Sequence, residues 1–377
     1  MFSFARHSRS KISNWLWTVD KPLLMLTLCL IFIGAMLVLS ASPSAAHRDR
    51  LADDFMFVKK QSLFICAGLV CMIGISMQSL RMIRRIAIFG FIAAFIGIIC
   101  TYVVGYESKG ASRWIRLGFF SLQPSEFIKP MFIVVTALFL NAHKRSEDFP
   151  GMQASFVLFV LTAGIIYRQP DLGMTILVSG VWGLQMIWAG IPAVFIGLMA
   201  LFAVLLLSGS YFFVAHVHDR INQFLASENE IGSQIQKSLD AFANGNLLGR
   251  GPGEGFVKMS LPDVHTDFIF SLAGEECGVW LTSLIVIIFG AIVARAMILS
   301  MKDNNLFIMY AASGIAASLG GQAIVNMCST LKLIPAKGMT LPFISYGGSS
   351  MLASCISMGM LLALTRKNAA AEDKDLG

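Results

Sequence analysis

Charge is scarce in this chain. Only 14% of its 377 residues are Asp, Glu, Lys or Arg, 56% are apolar, and the mean hydropathy is +0.72. A soluble domain carries about 25% charged residues, so this composition excludes one and describes an integral membrane protein. Alternation of apolar and polar residues is also lacking, because the apolar runs are continuous. That excludes an outer-membrane barrel and leaves a helical bundle as the form that satisfies its backbone in lipid. The seven cysteines show no CxxC spacing and fall inside apolar segments, where they read as small hydrophobes. No basic soluble domain is present, so the net charge of +7 does not point to nucleic acid and instead follows the membrane loops. The run GRGPGEG at 249–255 lacks the closing Gly-Lys-Ser/Thr of a P-loop and implies no nucleotide.

Apolar windows of about 20 residues, the length that spans a bilayer, lie near 22–41, 61–78, 86–104, 127–142, 152–167, 172–189, 191–215, 268–294, 305–328 and 343–365. The expected fold is therefore an all-α integral membrane protein of about ten transmembrane helices. A cytoplasmic segment, 1–21, precedes a membrane domain, 22–365, and a tail, 366–377, follows it. A large extracytoplasmic loop, 216–267, separates helices seven and eight. The first apolar segment is too long for a signal peptide and is expected to stay as an anchor. Arg81, Arg84, Arg85, Lys144, Arg145, Arg295, Lys302, Arg366 and Lys367 fall on one side with Arg6, Arg9 and Lys11. The positive-inside rule then puts both termini in the cytoplasm. Within the large loop, Ile231, Ile235, Leu239 and Phe242 recur at helical spacing and predict a helix lying in the membrane interface. His216 and His218 have no close-spaced ligand to complete a zinc site.

Polar residues at a membrane boundary are costly and mark candidate function. The richest stretch is GRGPGEGFVKMSLPDVHTDFIFSLAGEECG at 249–278. Its alternate glycines, with Arg250 and Lys258, can fold around an anionic head group. Asp267 stands at the mouth of the eighth span beside His265. As an isolated residue it reads first as a helix cap, since Asp and Thr cap helices well. At about 100° per residue, Glu275 stands about 80° around from Asp267 and Glu276 about 180°, so Glu276 is expected to pair with a basic group elsewhere. Glu126 and Lys129, three apart, share a helix face and can pair with each other or face an anion. Arg113 and Arg116 flank Trp114, a spacing that suits either a head-group contact or snorkelling. Arg168 and Asp171 bracket Pro170 and are expected to stiffen a short turn. Lys337 is a phosphate candidate, and Ser345 lies in LPFISYGGSS, whose small residues suit tight packing as well as substrate contact.

Four segments carry a resemblance: KGASRWIRLGFFSLQPSEFIKP at 109–130, RQPDLG at 168–173, LLGRGPGEGFVKMSLPDVHTDFIFSLAGEECG at 247–278 and IPAKGMTLPFISYGGSS at 334–350. In these, and in their order, the chain resembles the SEDS family of bacterial cell-wall glycosyltransferases, its division branch more than its elongation branch. The resemblance implies a SEDS-type bundle that polymerises Lipid II into β-1,4 glycan strands during septal cell-wall synthesis. It implies Asp267 as the essential aspartate, a role that capping does not preclude, and Lys129 facing the substrate diphosphate. It also implies a divalent cation, Mg or Mn, whose ligands no acidic cluster identifies. The implied partners are a class B penicillin-binding protein transpeptidase, other division membrane proteins and membrane lipid, in the inner membrane at the septum. Two other classes compete. A bundle of this size could flip Lipid II, although its polar groups gather at outer helix ends and no internal repeat is evident. A division scaffold would have no need of Asp267.

Overall fold

The structure is a computed structural model that describes residues 11–367, except 51, 109–110, 119, 147, 303, 336–337 and most of 193–233. Much of the expected seventh span, and Arg6, Arg9, His216, Ile231, Lys337 and the tail beyond Lys367, lie outside the described residues. In chain order the helices are α1 (Lys11–Thr18), α2 (Lys21–Arg48), α3 (Met56–Ser76), α4 (Leu80–Val104), α5 (Pro124–Arg145), α6 (Gly151–Arg168) and α7 (Leu172–Trp188). After the sparsely described region follow α8 (Gln234–Gly245), α9 (Val257–Ser260), α10 (Ile269–Lys302), α11 (Leu306–Thr330) and α12 (Gly348–Leu364). Seven of these, α2 to α6, α10 and α11, are long and apolar enough to cross a membrane, and α7 and α12 are shorter apolar helices. The chain is thus an all-α, multi-pass membrane protein, and nine of the ten expected spans correspond to described helices.

Local chemistry sets the helix starts. Asp20 accepts from Leu23 N at 3.1 Å and caps α2, with Pro22 in the first turn. Ser79 caps α4 and Asn305 caps α11 in the same way. Asp20 also binds Arg295 of α10 at 2.9 Å, tying two helices at the opposite end of α10 from Asp267.

Burial divides the bundle into a centre and a rim. In α5 and α11, 78% and 72% of the spanning window is buried, against 17–22% in α3, α4 and α6, whose outer faces are left for lipid. Helix α5 packs on α4, α6, α11 and α12, and α11 packs on α5, α7, α10 and α12. The close pairing of α3 with α12 rests on small residues: side chains at Gly348 and Gly359 would meet Phe64 and the Met72 carbonyl. Tight packing is therefore one real use of the glycines in LPFISYGGSS.

Two local features depart from the sequence expectation. The loop before α5 holds an antiparallel three-stranded sheet, β1 (Tyr106–Ser108), β2 (Ala111–Leu117) and β3 (Phe120–Leu122), with Arg116 opposite Ser121 and a left-handed turn at Gly118. The large-loop helix α8 buries Ser238, Ala241 and Gly245, not the Ile235 and Leu239 stripe. Gly245 lies on the Gly274 carbonyl, Phe242 covers Gly274, and Ser238 bonds Ser271 at 2.5 Å and the Thr330 carbonyl at 2.7 Å. Backbone approach through small residues beats the larger apolar stripe, so α8 is docked on α10.

Candidate functional site

The polar groups converge where α5, α10 and α12 begin and α11 ends. Asp267 lies in the turn before α10 and is partly buried. Its backbone is held on several sides. Its N–H donates to Asp263 O at 3.0 Å, and its carbonyl accepts from Asn326 Nδ2 at 3.0 Å. The neighbouring Thr266 carbonyl accepts from Ser345 Oγ at 2.6 Å, and the His265 carbonyl accepts from Tyr346 N at 2.8 Å. Gly338, at φ 62°, passes so close that a side chain there would stand 3.4 Å from Asp267 Oδ2. Helix α10 itself begins at Ile269, so Asp267 lies just outside the regular helix.

Glu126 and Lys129, in the first two turns of α5, form the expected pair at 2.8 Å, and both are buried. Lys129 Nζ also donates to Gln322 Oε1 at 2.5 Å, while Gln322 Nε2 donates to Thr340 O at 2.9 Å. Thr340 Oγ1 in turn lies 2.6 Å from Ser350 Oγ on α12. One turn along α11, Asn326 Nδ2 bridges Asp267 O to Met339 O at 2.6 Å. Gln322 and Asn326 thus link the Lys129 pair, the 338–341 strap and the Asp267 turn. Neither was anticipated from sequence, nor was Thr340. The available signal was two carboxamides four residues apart in an otherwise apolar span, hence on one helix face.

His265 and Ser345 reach this end but face protein. His265 packs against Phe57 at 4.5 Å and Tyr346 at 5.3 Å between ring centroids. Burial pushes the Tyr346 hydroxyl above its ordinary pKa, so it stays neutral. Ser345 Oγ is occupied by the Thr266 carbonyl and the Leu341 N–H at 2.8 Å. It holds the aspartate turn in place.

The glycine-rich stretch has a structural use in this protein. Helix α10 breaks at Gly278, at φ 71° and ψ −166°, and residues 245–251 wrap this break. Arg250 and Gly251 donate their N–H groups to the carbonyls of Glu275 and Glu276 at 3.0 and 2.9 Å, and Val279 donates to Asn246 O at 3.1 Å. A side chain on Gly249 would strike the Glu276 carbonyl. The glycines permit this backbone contact, and the N–H groups of Gly249, Arg250, Gly251 and Glu254 are spent within the protein. Glu275 accepts from Phe256 N and Val257 N at 2.8 and 2.9 Å, fastening α9. Arg250 hydrogen-bonds Asn244 and lies over the Phe256 ring at 5.1 Å.

Lys258 and Arg113, expected at the head group, are committed elsewhere. Lys258 Nζ is buried against Glu276 at 2.7 Å and Ser40 at 3.2 Å. This is the basic partner expected for Glu276. Arg113, on β2, donates to the Gln169 and Pro170 carbonyls at 2.9 and 2.7 Å and lies 3.4 Å from Asp171. Asp171 therefore pairs with Arg113 and caps α7 through Met174 N, whereas Arg168 is exposed. The short turn is stiffened as expected, by a different arginine. Among the described residues no three of His, Cys, Asp and Glu stand together as a cation cage.

Residues 21–370 match the family described as Cell cycle protein, FTSW_RODA_SPOVE. The chain belongs to this family. It is 40% identical over 369 residues, 98% of this chain and 95% of the relative, to the "Probable peptidoglycan glycosyltransferase FtsW" of Caulobacter vibrioides. To the protein of the same name from Geobacter metallireducens it is 35% identical over 360 residues, 92% of this chain and 95% of the other. Among solved structures it superposes with TM-score 0.76 and 26% identity on a chain from "Structural coordination of polymerization and crosslinking by a peptidoglycan synthase complex", covering 92% of this chain and 97% of that one. The Rod shape determining protein RodA of Thermus thermophilus matches with TM-score 0.65 and 25% identity, covering 92% and 96%. The family match extends over every polar contact described at this site.

Proposed function

We propose that this family member is a peptidoglycan glycosyltransferase that polymerises Lipid II into β-1,4 glycan strands, with Asp267 as general base. The observation that carries the reading is a partly buried aspartate, fixed through its backbone, at the same helix ends as a buried Glu126–Lys129 pair. In Lipid II the donor sugar is held by an α-linked diphosphate, and the new bond is β. One in-line displacement with inversion suffices: Asp267 takes the acceptor hydroxyl proton as that oxygen attacks the anomeric carbon, and the diphosphate departs with the bonding pair. Diphosphate needs no acid if fixed positive charge neutralises it. Lys129 supplies that charge from a position locked by Glu126 and Gln322. Lys337, next in sequence to the Gly338 that borders Asp267, is proposed to reach the same phosphates. A divalent cation would travel with the diphosphate, since Mg2+ takes few protein ligands when phosphates hold it.

The reaction is proposed to occur at the outer face of the cytoplasmic membrane, with both termini inside and the protein at the division septum. The cation-rich loops opposite the Asp267 end support that orientation. A class B penicillin-binding protein transpeptidase is the proposed partner, cross-linking the strands as they form. The broken helix at Gly278 is a feature that a lipid transporter would also use, so the test reads both activities. The purified chain with its transpeptidase, in vesicles carrying fluorescent Lipid II, is expected to yield glycan polymer. Lipid II translocation without polymer would reject the enzyme reading.

A further inference from the structure

Two carboxamides on α11, Gln322 and Asn326, are buried at 2% and 1% exposure. Both protons of Asn326 Nδ2 go to backbone carbonyls from distant segments: Asp267, before α10, and Met339, in the strap before α12. Gln322 repeats the pattern one turn away, donating to Thr340 O while accepting from Lys129 Nζ. The helix thus holds adjacent residues of one strap, 339 and 340, with one amide facing the aspartate turn and the other facing the buried cation.

Asn326 is a poor choice for stability alone. Its Oδ1 is buried and has no hydrogen-bond partner among the described residues. An unmet buried acceptor costs folding free energy, whereas an apolar residue of similar volume would suit this span and leave no such atom. Leucine there would remove that atom but release the Asp267 and Met339 carbonyls. The amide is therefore accounted for by what it fixes.

We propose that Asn326 and Gln322 are positioning residues for glycosyl transfer, setting Asp267 and Lys129 at a fixed separation through the 339–340 strap. The proposal rests on the reading of Asp267 as the base. Neither amide needs to touch substrate. Each holds a reacting group in the geometry at which the acceptor hydroxyl and the leaving diphosphate are served together, and small displacements from such a geometry are costly to rate.

The test compares the native chain with Asn326→Leu and Gln322→Leu, each purified with the transpeptidase and given Lipid II. For each variant kcat is expected to fall by about tenfold to a hundredfold, with KM held within about twofold because ground-state binding is untouched. The melting temperature is read for each variant, so that kcat is compared between folded proteins. Hydrogen exchange is expected to quicken in peptides covering 263–268 and 338–345 and nowhere else. Native kcat in folded Asn326→Leu would overturn the proposal, as would a loss confined to KM or one that tracks a lowered melting temperature. If the native chain makes no polymer, the functional reading fails; the exchange data then decide the clamp alone, and unchanged exchange over those peptides overturns it.

Discussion

At the scale of single residues, buried charge separates architecture from chemistry. Lys258→Met would leave Glu276 buried without its cation, and breaking such a pair costs about 3–5 kcal/mol. We expect a lowered melting temperature, recovered in large part by the double change Lys258→Met with Glu276→Met, because the pair is structural. Glu126 and Lys129 should behave differently. The double change to methionine is expected to restore the fold that Lys129→Met alone loses, yet not to restore polymer, since the charge itself is used; polymer at the native rate from the double variant would assign Lys129 to structure only. The individual residues were legible to different degrees. Glu126 with Lys129 could be read from spacing, and a basic partner for Glu276 from the helical angle, because both depend on local geometry. That Lys258 was this partner, and that Arg113 binds Asp171, could not be read, because those contacts close over distances in sequence that periodicity does not constrain.

At the scale of elements, the break in α10 explains the glycine spacing better than an anion cradle does. Gly278 and Gly249 both hold positive φ, and a side chain on Gly278 would meet the backbone of Leu247 and Gly249, one on Gly249 that of Glu276 and Cys277. Gly249→Ala combines strain with a clash, and positive-φ strain alone costs about 1–3 kcal/mol. We expect a lower melting temperature and faster hydrogen exchange over 245–257, measured by mass spectrometry; a native profile would contradict the clamp. The spans themselves were readable because lipid imposes long apolar runs, and described helices such as α5 and α11 start and stop within a few residues of their expected windows. The sheet before α5 was missed because three short strands in a polar loop give little signal beside a transmembrane run. The docking of α8 was missed for a related reason: its buried face consists of Ser238, Ala241 and Gly245, which hydropathy does not score as a packing surface, although in a membrane protein small residues are the ones that bring helices together.

For the molecule as a whole, family membership and fold agree with what composition demanded, and the candidate site lies where several helix ends meet. That arrangement couples stability to function unevenly. Changes on the lipid-facing α3, α4 and α6 should be tolerated when apolar, whereas polar changes along α11 or at the start of α5 should disturb the site. The most direct measurement of the central claim is Lipid II polymerisation by Asp267→Ala beside the native chain, each purified with the transpeptidase and matched in melting temperature. A general base contributes about 10²–10⁴-fold to rate. The account predicts polymer from the native protein and at least a hundredfold loss in the folded variant, by that same measure; equal rates from the two would remove Asp267 from the chemistry and contradict the account.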